Sequence, residues 1–182
     1  MVKMPRPGRV KTRLAEGIGR IPAVWWYRHQ VARLLRRIED RRWQLILAVS
    51  PDAEGLASRV WPEHLARIPQ RLGDLGSRMK RLLATFAPDP TIIIGSDIPA
   101  IRRRHVADAF ARLARADAVL GPTPDGGYWL IGTRRRTARA PGFLTAVRWS
   151  THHARADTLT TLAPARVAKA AMLADVDTKA DL

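Results

Sequence analysis

Residues 91–101 read "TIIIGSDIPAI" and give the clearest indication of the architecture. The stretch opens with Thr and three Ile, β-branched residues that favour strands, and Pro99 prevents a strand from continuing. We therefore predict a buried strand over 91–97, with Asp97 at its end. A carboxylate there can hold a hard divalent cation, or it can cap the helix that follows. The stretch alone does not separate these two interpretations.

Further apolar runs have the length of buried strands. They are 43–50 ("WQLILAVS"), 116–122, 128–133 and, more weakly, 169–177. Helical patterns lie between them, at 22–39, 74–86, 103–115 and 153–163. The alternation predicts an α/β fold with a parallel sheet flanked by helices. Ligands bind such sheets beyond the carboxyl ends of the strands, so the loops after the strands should hold the functional residues.

Length and composition narrow the class of protein. The 182 residues fit a single domain, 1–182, with a substantial core. The absence of cysteine excludes a disulfide scaffold, a thiolate metal site and a cysteine nucleophile. No apolar run approaches membrane-spanning length, and no secretory signal opens the chain. We expect a cytoplasmic protein without a membrane span.

The net charge of +16 points to an anionic partner, either a nucleic acid or a small-molecule substrate. The cations are 27 Arg and only 5 Lys, a ratio typical of a GC-rich genome. The arginines are scattered, and they do not alternate with aromatic residues as in a single-strand-binding groove. We therefore favour composition bias combined with an anionic small-molecule substrate over a nucleic acid.

Two segments, one rich in glycine and one rich in acidic residues, can be explained either by a structural role or by a role in ligand binding. Asp125-Gly126-Gly127 predicts a hairpin turn, but a Gly pair also lets a phosphate or sugar approach the backbone. Near the end of the chain, Asp175 and Asp177 alternate, so an extended backbone points both towards one metal. A solvated acidic tail is the alternative. It fits less well, because three of only 16 acidic residues fall in the last eight, the third being Asp181, which caps or ends the segment.

Two predicted helices begin with residues suited to capping or to anion binding. Gly73, Asp74 and Gly76 precede one, and Ser150 with Thr151 precedes the other. His152 and His153 follow, but no third His or Cys stands at metal-ligand spacing, so we expect both at the surface.

Six motifs in order resemble a known family. They are "KMPRPGRVKTRLA", "GDLGSRM", "IIIGSDIPAI", "VLGPTPDGGYWLIG", "WST" and "DVDTKADL". Together they resemble the glycosyltransferase A-like bacterial transferases, including the radical-SAM- and selenobiotic-associated transferases. That family is similar in turn to 2-phospho-lactate guanylyltransferase and molybdenum-cofactor guanylyltransferase. The resemblance covers nearly the whole chain. It implies a Rossmann-like, mixed and mostly parallel sheet that binds a nucleoside triphosphate or nucleotide-sugar with Mg²⁺ or Mn²⁺.

The resemblance also implies roles for individual residues. Nucleotide binding falls to Pro7, Gly8, Lys11, Arg13, Gly73 and Asp74. Metal binding falls to Asp97, with Asp177 and Asp175. The acceptor pocket falls to Gly126, Gly127 and Ser150. Lys11 and Asp97 are the implied catalytic groups, since Lys11 would neutralise the phosphates and the leaving group and Asp97 would be the principal metal ligand.

Two reactions are compatible with these roles. In nucleotidyl transfer, slightly favoured by the similarity to guanylyltransferases, an acceptor phosphate attacks the α-phosphorus of a nucleoside triphosphate and pyrophosphate leaves. In glycosyl transfer, an acceptor hydroxyl attacks the anomeric carbon and a nucleoside diphosphate leaves. An inactive nucleotide-binding protein and a nucleic-acid binder are the further alternatives.

The chain departs from the family pattern in three places. Only Met1–Lys3 precede the first nucleotide loop, so we expect the opening strand to be truncated, through a late start or a loss. Ser77 stands where relatives often carry an acid. The chain ends at Leu182, inside a terminal helix that the family usually continues.

Overall fold

The computed structural model describes residues 1–86 and 88–182. Its strands are β1 Val2–Lys3, β2 Ile46–Ser50, β3 Ala66–Pro69, β4 Thr91–Ile94, β5 Ala118–Pro122, β6 Tyr128–Thr133 and β7 Val167–Lys169. Its α-helices are α1 Thr12–Ile18, α2 Arg20–Ile38, α3 Asp52–Ala57, α4 Leu75–Thr85, α5 Arg103–Leu113, α6 Arg135–Ala138 and α7 Ala154–Leu162. A 3₁₀ turn covers Lys179–Asp181. The prediction of a mixed α/β fold is confirmed.

The chain divides into two compact units. The first unit comprises Met1–Arg71, Gly95–Arg103 and Asp175–Leu182. The second unit comprises Leu72–Ile94 and Arg104–Ala174. Among the described residues, no helix combines the length and the apolar composition needed to cross a membrane.

The first unit contains a parallel sheet in the order β1-β2-β3. Tyr27, Val31 and Leu35 of α2 share a buried apolar cluster with Leu47 and Val49 of β2. These residues of α2 recur at helical spacing, and burying such a stripe supplies most of the free energy that holds a helix on a sheet. The helix is therefore fixed against the sheet that contains β1, the strand whose following loop carries Lys11.

The short opening strand is anchored on its neighbour. Val2 pairs with Val49, and the amide of Met4 continues the pattern by donating to Ser50 O at 2.8 Å. The buried side-chain amide of Gln70 donates to Val2 O at 3.0 Å and to Ala48 O at 2.9 Å. Although β1 is two residues long, its backbone is paired, and the loop that follows starts from a fixed point.

The second unit contains a sheet in the order β4-β6-β5-β7. β6 is antiparallel to both β4 and β5, while β7 is parallel to β5. The 123–127 turn joins β5 to β6, and Thr123 N donates to Gly127 O at 3.1 Å across it. This is the hairpin that Asp125-Gly126-Gly127 predicts.

The predicted strand over 169–177 is wrong. Only Val167–Lys169 forms a ladder with β5, after which Ala170 N and Leu173 N donate to Leu120 O and Pro122 O. β5 ends at Pro122, so the chain beyond Leu173 has no strand residues of β5 left to pair with. The apolar content of 169–177 could not show where the neighbouring strand ends. The predicted strands over 43–50 and 91–97 are present but shorter, as β2 and β4.

Candidate functional site

The loop between β1 and α1 carries the basic residues of the first motif. Gly8 has a φ of 73°, a left-handed conformation that glycine adopts without steric cost. Lys11, the N-cap residue of α1, also has a left-handed backbone, with φ 49° and ψ 49°. Such a conformation is uncommon outside glycine and is enriched where a side chain must be aimed. Pro7, Gly8 and Arg9 are exposed, whereas Val10 is buried and anchors the loop.

Lys11 lies between two carboxylates. Its Nζ contacts Asp97 Oδ2 and is 2.7 Å from Asp177 Oδ1, and its side chain is only 6% exposed. Burial disfavours the ammonium ion, but the charge of Asp97 and the hydrogen bonds to both carboxylates outweigh it and raise the pKa of Lys11. The group is therefore a buried cation. Arg13 approaches the outer side of Asp177, with Nη1 3.2 Å from Oδ2.

The position of Asp97 is determined by α2. The buried hydroxyl of Tyr27 accepts a hydrogen bond from Lys3 N at 3.0 Å and bonds to Ser96 Oγ at 3.1 Å. The guanidinium of Arg37 donates to Pro99 O and, at 3.1 Å, to Ile101 O. The residues on both sides of Asp97 are thus hydrogen-bonded to one helix, which limits where its carboxylate can lie.

Asp177 is held by the 3₁₀ turn that follows it. The carboxylate of Asp181 accepts hydrogen bonds from Asp177 N at 3.1 Å, Thr178 N at 2.7 Å and Thr178 Oγ1 at 2.8 Å. The bonds from Thr178 and Asp177 hold the pKa of Asp181 below its usual range. Val176 N also donates to Asp97 O at 3.2 Å, which ties the two acidic segments together.

Asp97, Asp175 and Asp177 form a cluster within the first unit. Each offers one carboxylate oxygen, and the three oxygens lie within 4.8 Å of one another. Carboxylate oxygens are the ligands that Mg²⁺ and Mn²⁺ prefer, so the donor set and its spacing fit a divalent cation. Lys11 contacts two of the three carboxylates. Among the described residues no other His, Asp or Glu group has this spacing, and the two adjacent histidines take no part in it.

The second unit brings together the turn before α4 and the 144–149 segment. Asp74 caps α4 by accepting a hydrogen bond from Ser77 N at 2.8 Å, and the bonds with Ser77 lower its pKa. A Cβ added at Gly76 would overlap Leu144 O and lie 2.9 Å from Trp149 Cζ2. Glycine is therefore required there for close packing. Gly73 has a φ of 118°, so it is required for its backbone conformation.

The hairpin turn of the second unit packs against the start of α7. Gly126 has a φ of 86°, and a Cβ there would overlap the backbone of His152. Arg155 N donates to Gly126 O at 3.1 Å, while Gly127 N donates to Asp125 Oδ1 at 3.0 Å. Ser150 is exposed and left-handed, with a φ of 61°. The glycines thus have a structural role, whether or not a ligand also uses them.

Sequence reasoning foresaw the acidic cluster and the basic loop, but of the residues that hold them it foresaw only Asp181, as a residue that caps or ends the last segment. Lys11 and Arg13 meet Asp97 and Asp177 inside one unit, whereas Gly73, Asp74, Gly126, Gly127 and Ser150 belong to the other. Tyr27 and Ser96 were missed because nothing local marks them. Asp181 carried a readable signal, the Thr-X-X-acid pattern of a capping box, which the structure forms with Thr178.

Comparison with known proteins places the chain in a family. Residues 34–151 match the family described as "Uncharacterized protein conserved in bacteria (DUF2064)". The chain belongs to this family. A comparison with curated proteins found no significant match.

A solved structure extends the comparison to nearly all of this DUF2064 chain. The crystal structure of a "putative nucleotide-diphospho-sugar transferase" from Desulfovibrio desulfuricans G20 is similar, with 32% identity and a TM-score of 0.85. The match covers 97% of this chain and 80% of that one. The predicted glycosyltransferase A-like fold is confirmed. The radical-SAM association and the similarity to particular guanylyltransferases stay predictions.

Proposed function

We propose that this DUF2064 chain is a transferase that uses a nucleoside triphosphate or a nucleotide-sugar together with Mg²⁺ or Mn²⁺. One observation carries the proposal: a buried ammonium and three clustered carboxylates meet where the loop after β1, the segment after β4 and the end of the chain converge. The similarity to a protein described as a nucleotide-diphospho-sugar transferase supports the same donor class.

The cluster and the basic loop have complementary tasks. Asp97, Asp177 and Asp175 would hold the cation, which when bound supplies charge neutralisation and orientation of the donor phosphates. Lys11 and Arg13 would donate charge-assisted hydrogen bonds to phosphate oxygens and to the leaving group. Gly8, with nothing within 4 Å of the position its Cβ would take, leaves the backbone open to a phosphate. The main contribution to rate would be electrostatic stabilisation of the charge that develops on the leaving group.

The acceptor and base would be recognised by residues of the second unit. We assign Gly73 and Asp74 to the nucleotide, with Gly126, Gly127 and Ser150 lining the acceptor pocket. Asp74 stands at the start of α4, where its carboxylate already accepts a backbone hydrogen bond from Ser77 N. We also propose that residues 1–182 act as a single domain.

Two versions of the reaction have separate support. Nucleotidyl transfer rests on the resemblance of the sequence motifs to a family that is similar to guanylyltransferases. Glycosyl transfer rests on the description of the similar structure, which names a nucleotide-diphospho-sugar. A product assay decides between them: nucleotidyl transfer releases pyrophosphate, and glycosyl transfer releases a nucleoside diphosphate.

Asp97→Asn tests the metal assignment. We expect it to abolish Mn²⁺-dependent binding of the donor while leaving the thermal unfolding transition cooperative, because the change removes one ligand charge and keeps the shape. Isothermal titration with Mn²⁺ and donor measures this. Asp108→Asn is the matched control, since Asp108 is an exposed acid that pairs with Arg112 on α5. If the Asp97 variant keeps full Mn²⁺-dependent binding, the metal assignment is wrong.

A further inference from the structure

We infer that Lys11 is a built-in counter-ion of the acidic cluster, which leaves Asp97 and Asp177 when a divalent cation binds and then becomes a ligand of the donor phosphates. This inference rests on the proposed function and adds an order of events to it. The observation behind it is that the ammonium contacts the same carboxylates that the cation would need.

The close spacing of the carboxylates explains why a cation is paired with them. The side chain of Lys11 is 6% exposed, while those of Asp97 and Asp177 are 29% and 37% exposed. Carboxylates held this close repel one another and lose solvation, so the cluster requires a positive charge. Arg13 cannot provide it alone, because its side chain is 63% exposed and reaches only the outer oxygen of Asp177.

The geometry makes the two cations mutually exclusive. Lys11 Nζ contacts Asp97 Oδ2 and lies 2.7 Å from Asp177 Oδ1. The Asp97 and Asp177 carboxylates that would hold a Mg²⁺ or Mn²⁺ ion are the same two that contact the ammonium. An ammonium left in place would lie next to the dication, and like charges so close repel each other. Entry of the metal therefore requires Lys11 to move.

The side chain of Lys11 has a second position available, on the exposed side of the loop. Its flexible four-carbon side chain carries three donors that need no fixed orientation. Its neighbours on the exposed side of the loop are Pro7, Gly8 and Arg9, followed by Thr12 and Arg13. An ammonium swung towards that side would meet the donor phosphates that this loop is proposed to bind. Metal entry and phosphate binding would consequently favour each other, because one removes Lys11 from the carboxylates and the other receives it.

Lysine labelling tests the displacement in the unmodified protein. The chain has five lysines, 3, 11, 80, 169 and 179, so mass spectrometry resolves each of them after reaction with an amine-reactive reagent. We expect Lys11 to be protected without metal and its labelling rate to rise about tenfold at saturating Mn²⁺, a size typical of coupled sites. Lys3 and Lys169, both exposed, are the internal controls and should not change.

Mn²⁺ affinity of a charge-removing variant gives a second readout. Lys11→Met keeps the length of the side chain and removes the competing cation, so it should bind Mn²⁺ about tenfold more tightly, again in the range of coupled sites. Its affinity for a nucleotide donor should fall. Arg9→Met removes a cation from the exposed part of the same loop, and it should leave Mn²⁺ affinity nearly unchanged. Electron paramagnetic resonance of free Mn²⁺ measures the metal affinities, and isothermal titration measures the donor affinity, both without turnover.

The outcomes separate this inference from the proposed function. If wild-type protein binds Mn²⁺ through Asp97, but labelling of Lys11 does not change and Lys11→Met binds no more tightly, the displacement is wrong and the metal site stands. If neither wild type nor Lys11→Met binds Mn²⁺, the metal site and the displacement both fail. Should Lys11→Met not fold, the labelling of the wild-type chain decides alone.

Discussion

At the scale of single residues, the candidate site depends on buried polar groups that hold the segments carrying its charged residues. Tyr27 is 5% exposed, and its hydroxyl joins Lys3 N of β1 to Ser96 Oγ, next to Asp97. Burial is the main reason that the pKa of this phenol is raised, so it stays protonated and can serve both partners. A residue of α2 thereby connects the start of the chain to the principal acid of the cluster.

Tyr27→Phe should therefore affect both stability and the site. The substitution leaves Lys3 N and Ser96 Oγ without this partner, which should lower the free energy of unfolding by about 1–3 kcal/mol. It should also weaken Mn²⁺ binding, because the backbone at Ser96 and Asp97 is then held less firmly. Urea unfolding and Mn²⁺ titration measure the two effects. Tyr128→Phe is the control: its hydroxyl bonds to Thr158 in the second unit, so it should lower stability and spare Mn²⁺ affinity. If the wild type, Tyr27→Phe and Tyr128→Phe bind Mn²⁺ equally tightly, Tyr27 does not position the metal ligands.

At the scale of elements, the segment before α7 is held by one ion pair. Asp157 accepts hydrogen bonds from Arg148 N at 3.0 Å, Nε at 2.8 Å and Nη2 at 2.8 Å. These bonds hold the pKa of Asp157 well below its usual range. The pair fixes the backbone that leads into Ser150, one of the residues proposed for the acceptor pocket.

The lowered pKa of Asp157 predicts how stability varies with pH. A carboxyl group whose folded pKa is depressed stabilises the protein above its unfolded pKa of about 4, and that contribution is lost as pH falls towards the folded value. The melting temperature should therefore drop on acidification below about pH 4. Asp157→Asn should lower it at pH 7 and weaken its dependence on acid. Asp108→Asn, which loses a single contact with Arg112, should behave almost as wild type. An acid dependence that Asp157→Asn leaves unchanged would contradict this reasoning.

The helices and strands also differ in how well the sequence predicted them. β5 and β6 are buried along nearly their whole length, so their continuous apolar runs over 116–122 and 128–133 predicted them well. α3 and β3 were missed because a six-residue helix and the strand "ARIP" carry no apolar period. α1 was missed because the basic loop before it dominates the local sequence.

The sequence likewise predicted some parts of the site and not others. The order of the motifs was enough to associate Asp97, Asp175 and Asp177. The pairing of Lys11 with Asp177, 166 residues apart, was not readable, because no local pattern encodes which distant group a cation will meet. The sequence assigned Lys11 to phosphates, whereas its ammonium lies on carboxylates in the structure.

At the scale of the whole molecule, part of the positive charge has a structural use. The guanidinium of Arg67 donates to the carbonyls of Leu56, Ser58 and Trp61. Arg37 bonds two carbonyls beside Asp97, and Arg134 bonds Ala114 O. Arginine suits this task because its planar fork presents five donors. The net charge of +16 is thus partly explained without any polyanionic partner, which agrees with a small anionic substrate.

The most direct test of the account is a thermal-shift panel of nucleoside triphosphates and nucleotide-sugars, each with and without Mn²⁺. We predict that Mn²⁺ and one donor class together raise the melting temperature of the wild-type protein, since a ligand that binds only the folded state stabilises it. The same mixture should not shift Asp97→Asn. A donor that stabilises both proteins equally, or no shift with any donor, would contradict metal-dependent nucleotide binding at the Asp97 cluster.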